Sequence, residues 1–267
     1  MAKMTLKNKG FTLIELIIVI ILLVVVSVGA GGLIKISSQV FVDVTLRDEL
    51  ISSVRYAVER LNREIRSALP NSFRTLSFLG NTVQCLEYIP IEVSTIYLDI
   101  PVSPEGASEN LTLIRFESNL FDDSLDAVVY PLNAAEIYEI SSKRYSLATQ
   151  TLNTSGNVWT VQLSTANTFA ADSPTDRIYF VDQPVAYCAS EGELNRYTHY
   201  GYSGTPLSVA ESDQEVLMAE GLEMAGTLFN VTDANLVRNA EVKIQLQFSK
   251  NSEFVNFYNK IQVTNAP

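Results

Sequence analysis

The sequence has few of the residues on which most enzyme and metal sites depend. Its 267 residues include one histidine, His199, and two cysteines, Cys85 and Cys188, which stand in unrelated sequence contexts. Metal sites usually show a close cluster of such residues, and this chain has no such spacing. It also has no glycine-rich phosphate loop and no Gly-x-Ser-x-Gly nucleophile motif. We therefore predict no metal, no cofactor and no catalytic activity of its own.

Positive charge is also in short supply. The chain has 19 Lys and Arg residues against 30 Asp and Glu residues, for a net charge of −11. Because an acidic surface repels backbone phosphates, this balance argues against nucleic acid as a partner. The first ten residues reverse the trend, with Lys3, Lys7 and Lys9 and no acid, so their loss would take the remainder from −11 to −14. The basic start and the acidic body are predicted to have different tasks.

A long apolar run follows this basic start. Residues 11–34 read FTLIELIIVIILLVVVSVGAGGLI and contain a single charge, that of Glu15. As a helix the run would span ~36 Å, which exceeds the ~30 Å hydrocarbon core of a bilayer. A helix also satisfies its own backbone hydrogen bonds in lipid. We predict a single-pass transmembrane helix, with the lysine-rich amino terminus in the cytoplasm and the body outside.

Glu15 is the informative residue of this run. An ionised carboxylate within a bilayer costs about 2.5–3.5 kcal/mol or more, so it needs a partner or a proton. The sequence from Lys9 to Glu15, KGFTLIE, followed by the apolar span, resembles the prepilin signal of type IV pilins and type II secretion pseudopilins. The resemblance implies that a prepilin peptidase cleaves between Gly10 and Phe11 and that Phe11 is then N-methylated. It also implies that Glu15 pairs with the amino terminus of a neighbouring subunit during filament assembly.

Two simpler interpretations of the same run remain open. Ser27, Val28 and Gly29, followed by Ala30, resemble the cleavage site of an ordinary secretory signal peptide. The run is also compatible with a plain uncleaved anchor. Glu15 would interrupt the apolar region of a signal peptide and would bring no gain to a plain anchor, so the prepilin interpretation is favoured.

The helical pattern continues from Lys35 to Leu69, before Pro70. Apolar residues recur at steps of three, four or seven and predict one buried stripe: Val40, Val44, Ile51, Val54, Val58, Leu61, Ile65 and Leu69. Charged residues occupy the other faces: Arg47, Asp48, Arg55, Glu59, Arg60, Arg63, Glu64 and Arg66. We expect an amphipathic half-helix that lies on its own domain. The glycines at 29, 31 and 32 are interpreted as a hinge, or as a small-residue contact face between helices.

The remainder of the chain, residues 70–267, is predicted to form a β-rich head domain. Short apolar or alternating runs broken by Pro, Gly, Asn and Asp predict strands at Val83–Ile89, Val93–Ile100, Leu111–Glu117, Ile137–Tyr145, Val158–Ser164, Arg177–Val181, Pro184–Tyr187, Asn195–Tyr202, Gly226–Val231, Ala240–Phe248 and Asn256–Thr264. The predicted fold class is α+β. The domain prediction is a cleaved leader at 1–10, a long helix at 11–69 (11–34 transmembrane or filament core, 35–69 amphipathic) and an antiparallel head at 70–267.

The two cysteines fit an exported body. In an oxidising compartment, Cys85 and Cys188 would form one disulfide closing a loop of roughly 100 residues. Two buried free thiols in a cytosolic protein are the alternative.

A second, patchier resemblance concerns the kind of filament. The segments Arg55–Ser72, Cys85–Ile91, Pro184–Cys188 and Gln262–Pro267 are similar to minor pilins of mannose-sensitive haemagglutinin (MSHA) type pili. Large type II secretion pseudopilins share the general layout. The resemblance implies a minor pilin acting in pilus biogenesis or at the tip, in the inner membrane and then in a filament. Its implied partners are the prepilin peptidase, the major and other minor pilins, the assembly machinery and the lipid bilayer.

Three features invite other functions. An adhesin is the alternative in which the aromatic stretch Tyr197–Tyr202 contacts a surface ligand. His199 within that stretch has no acid or nucleophile near it in sequence and is interpreted as structural. Asp122, Asp123 and Asp126 lack the loop glycine and terminal glutamate of a calcium-binding EF-hand, so a solvated acidic turn is predicted.

Overall fold

The computed structural model describes residues 11–116, 124–139, 143–147, 153–202, 215–234, 239–250 and 253–263. The chain divides into two compact units, Met1–Leu50 and Ile51–Pro267. Helix α1 (Leu13–Arg66) supplies nearly all of the described part of the first unit and the start of the second. The predicted leader, residues 1–10, lies outside the described residues.

The part of α1 in the second unit is buried along one stripe. Val54, Leu61 and Ile65 are buried, as the apolar periodicity predicts, and Leu69 is buried just beyond the helix. Val40 and Val44 were predicted to lie on the same buried stripe, but they are 55 % and 54 % exposed, so that part of the prediction is wrong. The helix ends at Arg66, where the Ser67 hydroxyl donates to backbone carbonyl oxygens of the last turn. Pro70 has no N–H to continue the helical hydrogen bonds, which explains why the helix ends before it.

The strands of the second unit are, in chain order, β1 (Arg74–Phe78), β2 (Val83–Tyr88), β3 (Ile91–Asp99), β4 (Ser108–Ile114), β5 (Asp126–Val129), β6 (Arg144–Ser146), β7 (Asn153–Ser155), β8 (Val158–Asn167), β9 (Arg177–Val181), β10 (Val185–Ser190), β11 (Glu193–Tyr197), β12 (Glu215–Glu220), β13 (Leu222–Glu223), β14 (Phe229–Thr232), β15 (Ala240–Lys250) and β16 (Glu253–Val263). A short helix, α2 (Ala135–Tyr138), follows β5.

Within the described residues these strands form three antiparallel sheets. The first has the order β1-β2-β10-β11-β12, and the second has the order β6-β5-β9-β3-β4-β8-β7. In the third, β15 pairs with β16 along one side and with β13 and β14 along the other. The predicted fold class, a long helix packed on an antiparallel β-rich domain, is confirmed.

One buried cluster of the domain lies on the seven-stranded sheet and brings together aromatic and aliphatic side chains such as Phe169, Phe180 and Leu111, each fully buried. A smaller cluster surrounds the bond between Cys85 and Cys188, which lie opposite each other on β2 and β10 with their Cα atoms 4.0 Å apart. The predicted disulfide is confirmed, and the free-thiol alternative does not hold in this structure.

Two predicted strands require correction. Within Ile137–Tyr145, the described residues begin in helix α2 and only Arg144–Ser146 form a strand. Asn133 Oδ1 accepts the N–H of Glu136 and begins this helical turn, an effect of local capping that alternation of apolar residues does not reveal. The strand predicted at Asn195–Tyr202 ends at Tyr197, and His199 and Gly201 have positive φ values of 58° and 75°. A strand cannot continue through such residues.

Candidate functional site

The amino-terminal end of α1 is capped by Thr12. The N–H of Glu15 donates to Thr12 Oγ at 3.4 Å, and the N–H of Leu16 donates to the Thr12 carbonyl oxygen at 3.2 Å. Thr at the cap with Glu three residues later is the capping-box pattern. Glu15 therefore stands in the first turn, where the positive end of the helix dipole stabilises a carboxylate. Gly10 lies outside the described residues, so cleavage before Phe11 stays a prediction.

The helix that follows is exposed along its apolar length. Residues 11–45 are all exposed, and side chains such as Leu23 (59 % exposed) and Val26 (65 % exposed) point into solvent. A large exposed apolar surface marks a membrane or a partner interface. Among the described residues, α1 is the helix that is long and apolar enough to cross a membrane. Gly29, Gly31 and Gly32 lie within this continuous helix, and their role as a hinge stays a prediction.

Glu64 joins the second half of α1 to the five-stranded sheet. Its carboxylate accepts from Arg60 Nε at 2.9 Å on the helix and from Arg196 Nε at 3.0 Å on β11. The hydroxyls of Tyr88 and Tyr187, on β2 and β10, donate to the same carboxylate at 2.5 and 3.0 Å. Burial would raise the pKa of Glu64, but the hydrogen bonds from Tyr88 and Arg60 and the charge of Arg196 hold it below its usual value. Glu64 therefore fixes the helix to three strands.

Glu64 was predicted to be one of the solvent-facing charges of the helix, and that prediction is wrong. Its side chain is 19 % exposed. The position next to Ile65 and three residues after Leu61 places it at the border of the apolar stripe, and this is the sequence signal that could have identified it. The partners on the sheet were not visible from sequence, because Tyr88 lies 24 residues from Glu64 and Tyr187 and Arg196 lie 123 and 132 residues away.

A second paired carboxylate belongs to Glu87 on β2, which by strand alternation faces the side of the sheet opposite to Tyr88. The side chain of Glu87 is fully buried and forms an ion pair with Arg74 of β1, while the Tyr200 hydroxyl donates to Glu87 Oε1 at 2.6 Å. The Arg74 guanidinium also stacks over the Tyr138 ring, 3.7 Å from its centroid. A buried carboxylate with a paired cation and a hydroxyl donor is a structural arrangement, since its charge is already neutralised.

The aromatic stretch Tyr197–Tyr202 uses its hydroxyls inside the domain. Tyr197 donates to Glu215 Oε1 at 2.5 Å, Tyr200 to Glu87, and Tyr202 to the Asp182 carbonyl oxygen at 2.9 Å. Burial raises the pKa of all three tyrosines. These rings are therefore structural, and they do not form the exposed contact surface on which the adhesin interpretation depended.

The acidic turn considered for calcium is only partly described. Asp122 and Asp123 lie outside the described residues, whereas Asp126 is described and accepts from Arg144 Nη1 at 2.5 Å. No group of three or more His, Cys, Asp and Glu side chains in the described residues is arranged to hold a metal ion. Asp126 is buried in β5 and its carboxylate is paired with an arginine, so the prediction of a solvated acidic turn is wrong for this residue.

Comparison with known proteins identifies the amino-terminal segment. Residues 5–31 match the family description "Prokaryotic N-terminal methylation motif". No curated protein and no solved structure gives a significant match to the chain. The motif supports a type IV pilin-like or pseudopilin-like subunit, and it implies processing by a prepilin peptidase and assembly with other pilin-like subunits. It covers the segment around Gly10, Phe11 and Glu15 and does not extend into the β-rich domain.

Proposed function

We propose that the chain is a minor pilin that is incorporated into a type IV pilus-like filament of the MSHA type and acts in pilus biogenesis or at the tip. The observation that carries this proposal is Glu15, a carboxylate within the matched motif and in the first turn of an exposed apolar helix. A large second unit, Ile51–Pro267, carries the β-sheets.

The proposal gives each part of the amino terminus a task. The leader at 1–10 is removed, Phe11 becomes the N-methylated first residue, and residues 11–34 anchor the subunit in the inner membrane with the head in the periplasm. The mature amine of Phe11 and the carboxylate of Glu15 are both costly in lipid when unpaired. When subunits pack, Glu15 pairs with the amine of a neighbour, and two separate costs become one ion pair.

The head is proposed to be a structural module rather than an enzyme. Its described carboxylates Glu64, Glu87 and Asp126 are each paired with arginine, so none of the three is a free acid or base. The buried disulfide suits an oxidising compartment such as the periplasm.

The mature amino terminus, determined by mass spectrometry of the membrane fraction, tests the proposal first. N-methylated Phe11 is the expected result. A start at Ala30 would make the chain a secreted protein, and retention of Met1 would make it a plain anchor; either outcome overturns the filament proposal.

The choice of filament needs a second experiment. A strain lacking the chain should lose its pili or make far fewer of them, and labelled subunits should lie at filament ends. If secretion through the type II system fails while piliation is normal, the chain is instead a pseudopilin. If piliation is normal and only adhesion is lost, the adhesin interpretation is correct.

A further inference from the structure

The turn of the β10–β11 hairpin shows toward which neighbouring strand each residue of the five-stranded sheet directs its backbone hydrogen bonds. Its loop consists of residues 191 and 192, with positive φ values of 50° and 85°, as in a type I′ turn. Ser190 and Glu193 therefore form a hydrogen-bonded pair, and bonded and non-bonded pairs alternate along an antiparallel ladder. By this alternation, the backbone N–H and C=O groups of Cys188 form hydrogen bonds with β11. Cys188 and Cys85 therefore lie opposite each other as a pair without backbone hydrogen bonds between them. Their Cα separation of 4.0 Å agrees with the closer spacing of such pairs.

The same alternation extends to β1, the edge strand. Cys85 must direct its backbone groups toward β1, where it lies opposite Leu76. The backbone N–H and C=O groups of Leu76 are therefore hydrogen-bonded to β2, whereas those of Thr75 and Ser77 point away from β2. Both residues have exposed side chains, and the described part of the chain gives neither a hydrogen bond outside the ladder. The edge of β1 thus presents two free N–H groups and two free carbonyl oxygens.

A cavity of about 430 Å³ is lined by β1, the turn of its hairpin, Gln84 and Cys85 of β2, and the segment from Met224 to Phe229, so it extends from β1 over the neighbouring strand. This volume is within the range of about 300–1,000 Å³ typical of binding pockets. The far wall is fixed by Gln84, whose Nε2 donates to the Gly226 carbonyl oxygen at 2.8 Å and whose Oε1 accepts the N–H of Leu228 at 3.0 Å. None of the lining residues is charged, although the chain carries a net charge of −11.

The chemistry of this edge fits a peptide backbone. Free N–H and C=O groups at the spacing of a strand are what an extended peptide needs in order to add to a sheet. Phe229 is only 3 % exposed and offers no open ring face on which a sugar could stack. A charged side chain would lose solvation there without gaining a partner. An extended segment with uncharged side chains therefore suits the edge best.

The edge of β16 provides a comparison. The N–H of Gln245 donates to the Leu228 carbonyl oxygen at 2.8 Å, so the odd-numbered residues of β15 direct their backbone groups away from β16. The even-numbered residues of β15 therefore form the backbone hydrogen bonds with β16. The even-numbered residues of β16, which include Asn256 and Lys260, consequently direct their backbone groups outward. Lys260 is half-exposed on this edge, and lysine on an edge strand is a common guard against strand addition. Neither Thr75 nor Ser77 carries such a charge.

We propose that the outer edge of β1 binds an extended, uncharged peptide segment of a neighbouring pilin-like subunit, which is added to the five-stranded sheet as a strand. The identity of the partner rests on the proposed filament function, whereas the binding of a peptide does not.

The test uses the full-length protein in detergent micelles and a blocked hexapeptide of alternating threonine and valine as the probe. Amide exchange, followed by mass spectrometry with fragmentation, should show that the amide hydrogens of Thr75 and Ser77 become protected by the peptide. Those of Leu76 should be protected with or without it. A peptide with alternate N-methylated amides should give no protection. Absence of binding at millimolar peptide, or protection elsewhere only, overturns the proposal.

Proline substitutions distinguish the edge of β1 from the edge of β16 as the peptide-binding site. Ser77→Pro removes an outward N–H that has no partner in the ladder, so folding should be retained while peptide affinity falls at least tenfold. Ser77→Thr keeps the N–H and should bind within about twofold of the wild type. The matched control is Asn256→Pro, which changes the other free edge and should leave affinity unchanged. Normal binding by Ser77→Pro, or loss of binding by Asn256→Pro alone, contradicts the assignment to β1.

The source of the peptide is tested in membranes by a photo-crosslinking amino acid at position 75. Crosslinking to an uncharged segment of another protein with the same amino-terminal motif supports the proposal. If the peptide probe binds but no such crosslink forms, the assignment to a neighbouring subunit is wrong while the edge site stands. If Phe11 proves not to be the mature amino terminus, the filament function fails independently of the peptide result.

Discussion

Replacing Glu64 by glutamine tests whether one carboxylate holds α1 on the five-stranded sheet. Glutamine keeps the size of the side chain but removes its charge and replaces one acceptor oxygen by a donor. The guanidinium groups of Arg60 and Arg196, with side chains 27 % and 17 % exposed, would then face an amide in place of a carboxylate. The hydroxyls of Tyr88 and Tyr187 would compete for the one remaining oxygen.

The magnitude follows from these contacts. Hydrogen bonds to a charged group contribute about 1.5–3 kcal/mol each, and removing one partner of a buried ion pair costs about 3–5 kcal/mol. Since Glu64 and its arginines retain some solvent contact, we expect Glu64→Gln to lower the free energy of unfolding by about 2–4 kcal/mol. For a domain of this size the loss corresponds to a fall in melting temperature of about 4–16 °C.

The effect should depend on pH in a defined direction. The pKa of Glu64 is lower in the folded protein than its usual value near 4.5, chiefly because the hydrogen bond from Tyr88 and those from the arginines outweigh burial. A lowered folded pKa contributes stability above the unfolded pKa, and that contribution is lost as the pH falls through the folded value. The difference between wild type and Glu64→Gln should therefore be constant above about pH 5 and should shrink below it.

Urea denaturation followed by the fluorescence of Trp159, the single tryptophan, measures this difference. Trp159 is buried in the head domain and reports its unfolding. Glu59→Gln is the matched control, because Glu59 lies on the same helix but is exposed. A similar loss in both variants, or a Glu64→Gln difference that does not change at low pH, would refute the role assigned to Glu64.

Three further predictions concern other parts of the chain. Glu15→Val should still insert into the membrane but should assemble far fewer filaments, and counting filaments by electron microscopy beside subunit levels in the membrane fraction checks this. Replacing Cys85 and Cys188 together by serine should lower the free energy of unfolding by about 4–5 kcal/mol in the chain-entropy model, since the bond closes a 103-residue separation; urea denaturation of oxidised, reduced and substituted protein measures it. Gly221→Ala should destabilise by about 2–4 kcal/mol, because φ is +79° and the new Cβ would collide with a backbone carbonyl oxygen. Gly226→Ala, at φ +76° but in open space, should cost only about 1–2 kcal/mol in the same assay.

The amino-terminal helix could be predicted from the sequence for a physical reason. A membrane span and an amphipathic stripe depend on local periodicity, so residues 11–34 and the stripe through Val54 and Leu61 could be read without knowledge of the fold. The strand at Arg177–Val181 was predicted with its observed bounds, because four consecutive buried residues follow Arg177. The disulfide could be proposed because only two cysteines were available.

The missed strands share a different physical origin. β1 and β12 have mixed polar and apolar sequences, and they are strands because β2 and β11 supply hydrogen-bonding partners. β5 has four residues, all buried, and begins with Asp126, a residue depleted in strands. Its position is stable because Arg144 on the neighbouring strand pairs with that aspartate. Such partners are fixed by tertiary structure and leave no local pattern.

The five-stranded sheet carries both the contacts of Glu64, which hold the second half of α1, and the free edge of β1. Glu64 binds β2, β10 and β11 on the helix side, and the disulfide joins β2 to β10 on the opposite face of the sheet. Among the described strands, β1 is bonded to β2 alone, so the orientation of its free edge is set by one of the strands that Glu64 contacts. A segment added at Thr75 and Ser77 would therefore extend the sheet on which the second half of α1 is held.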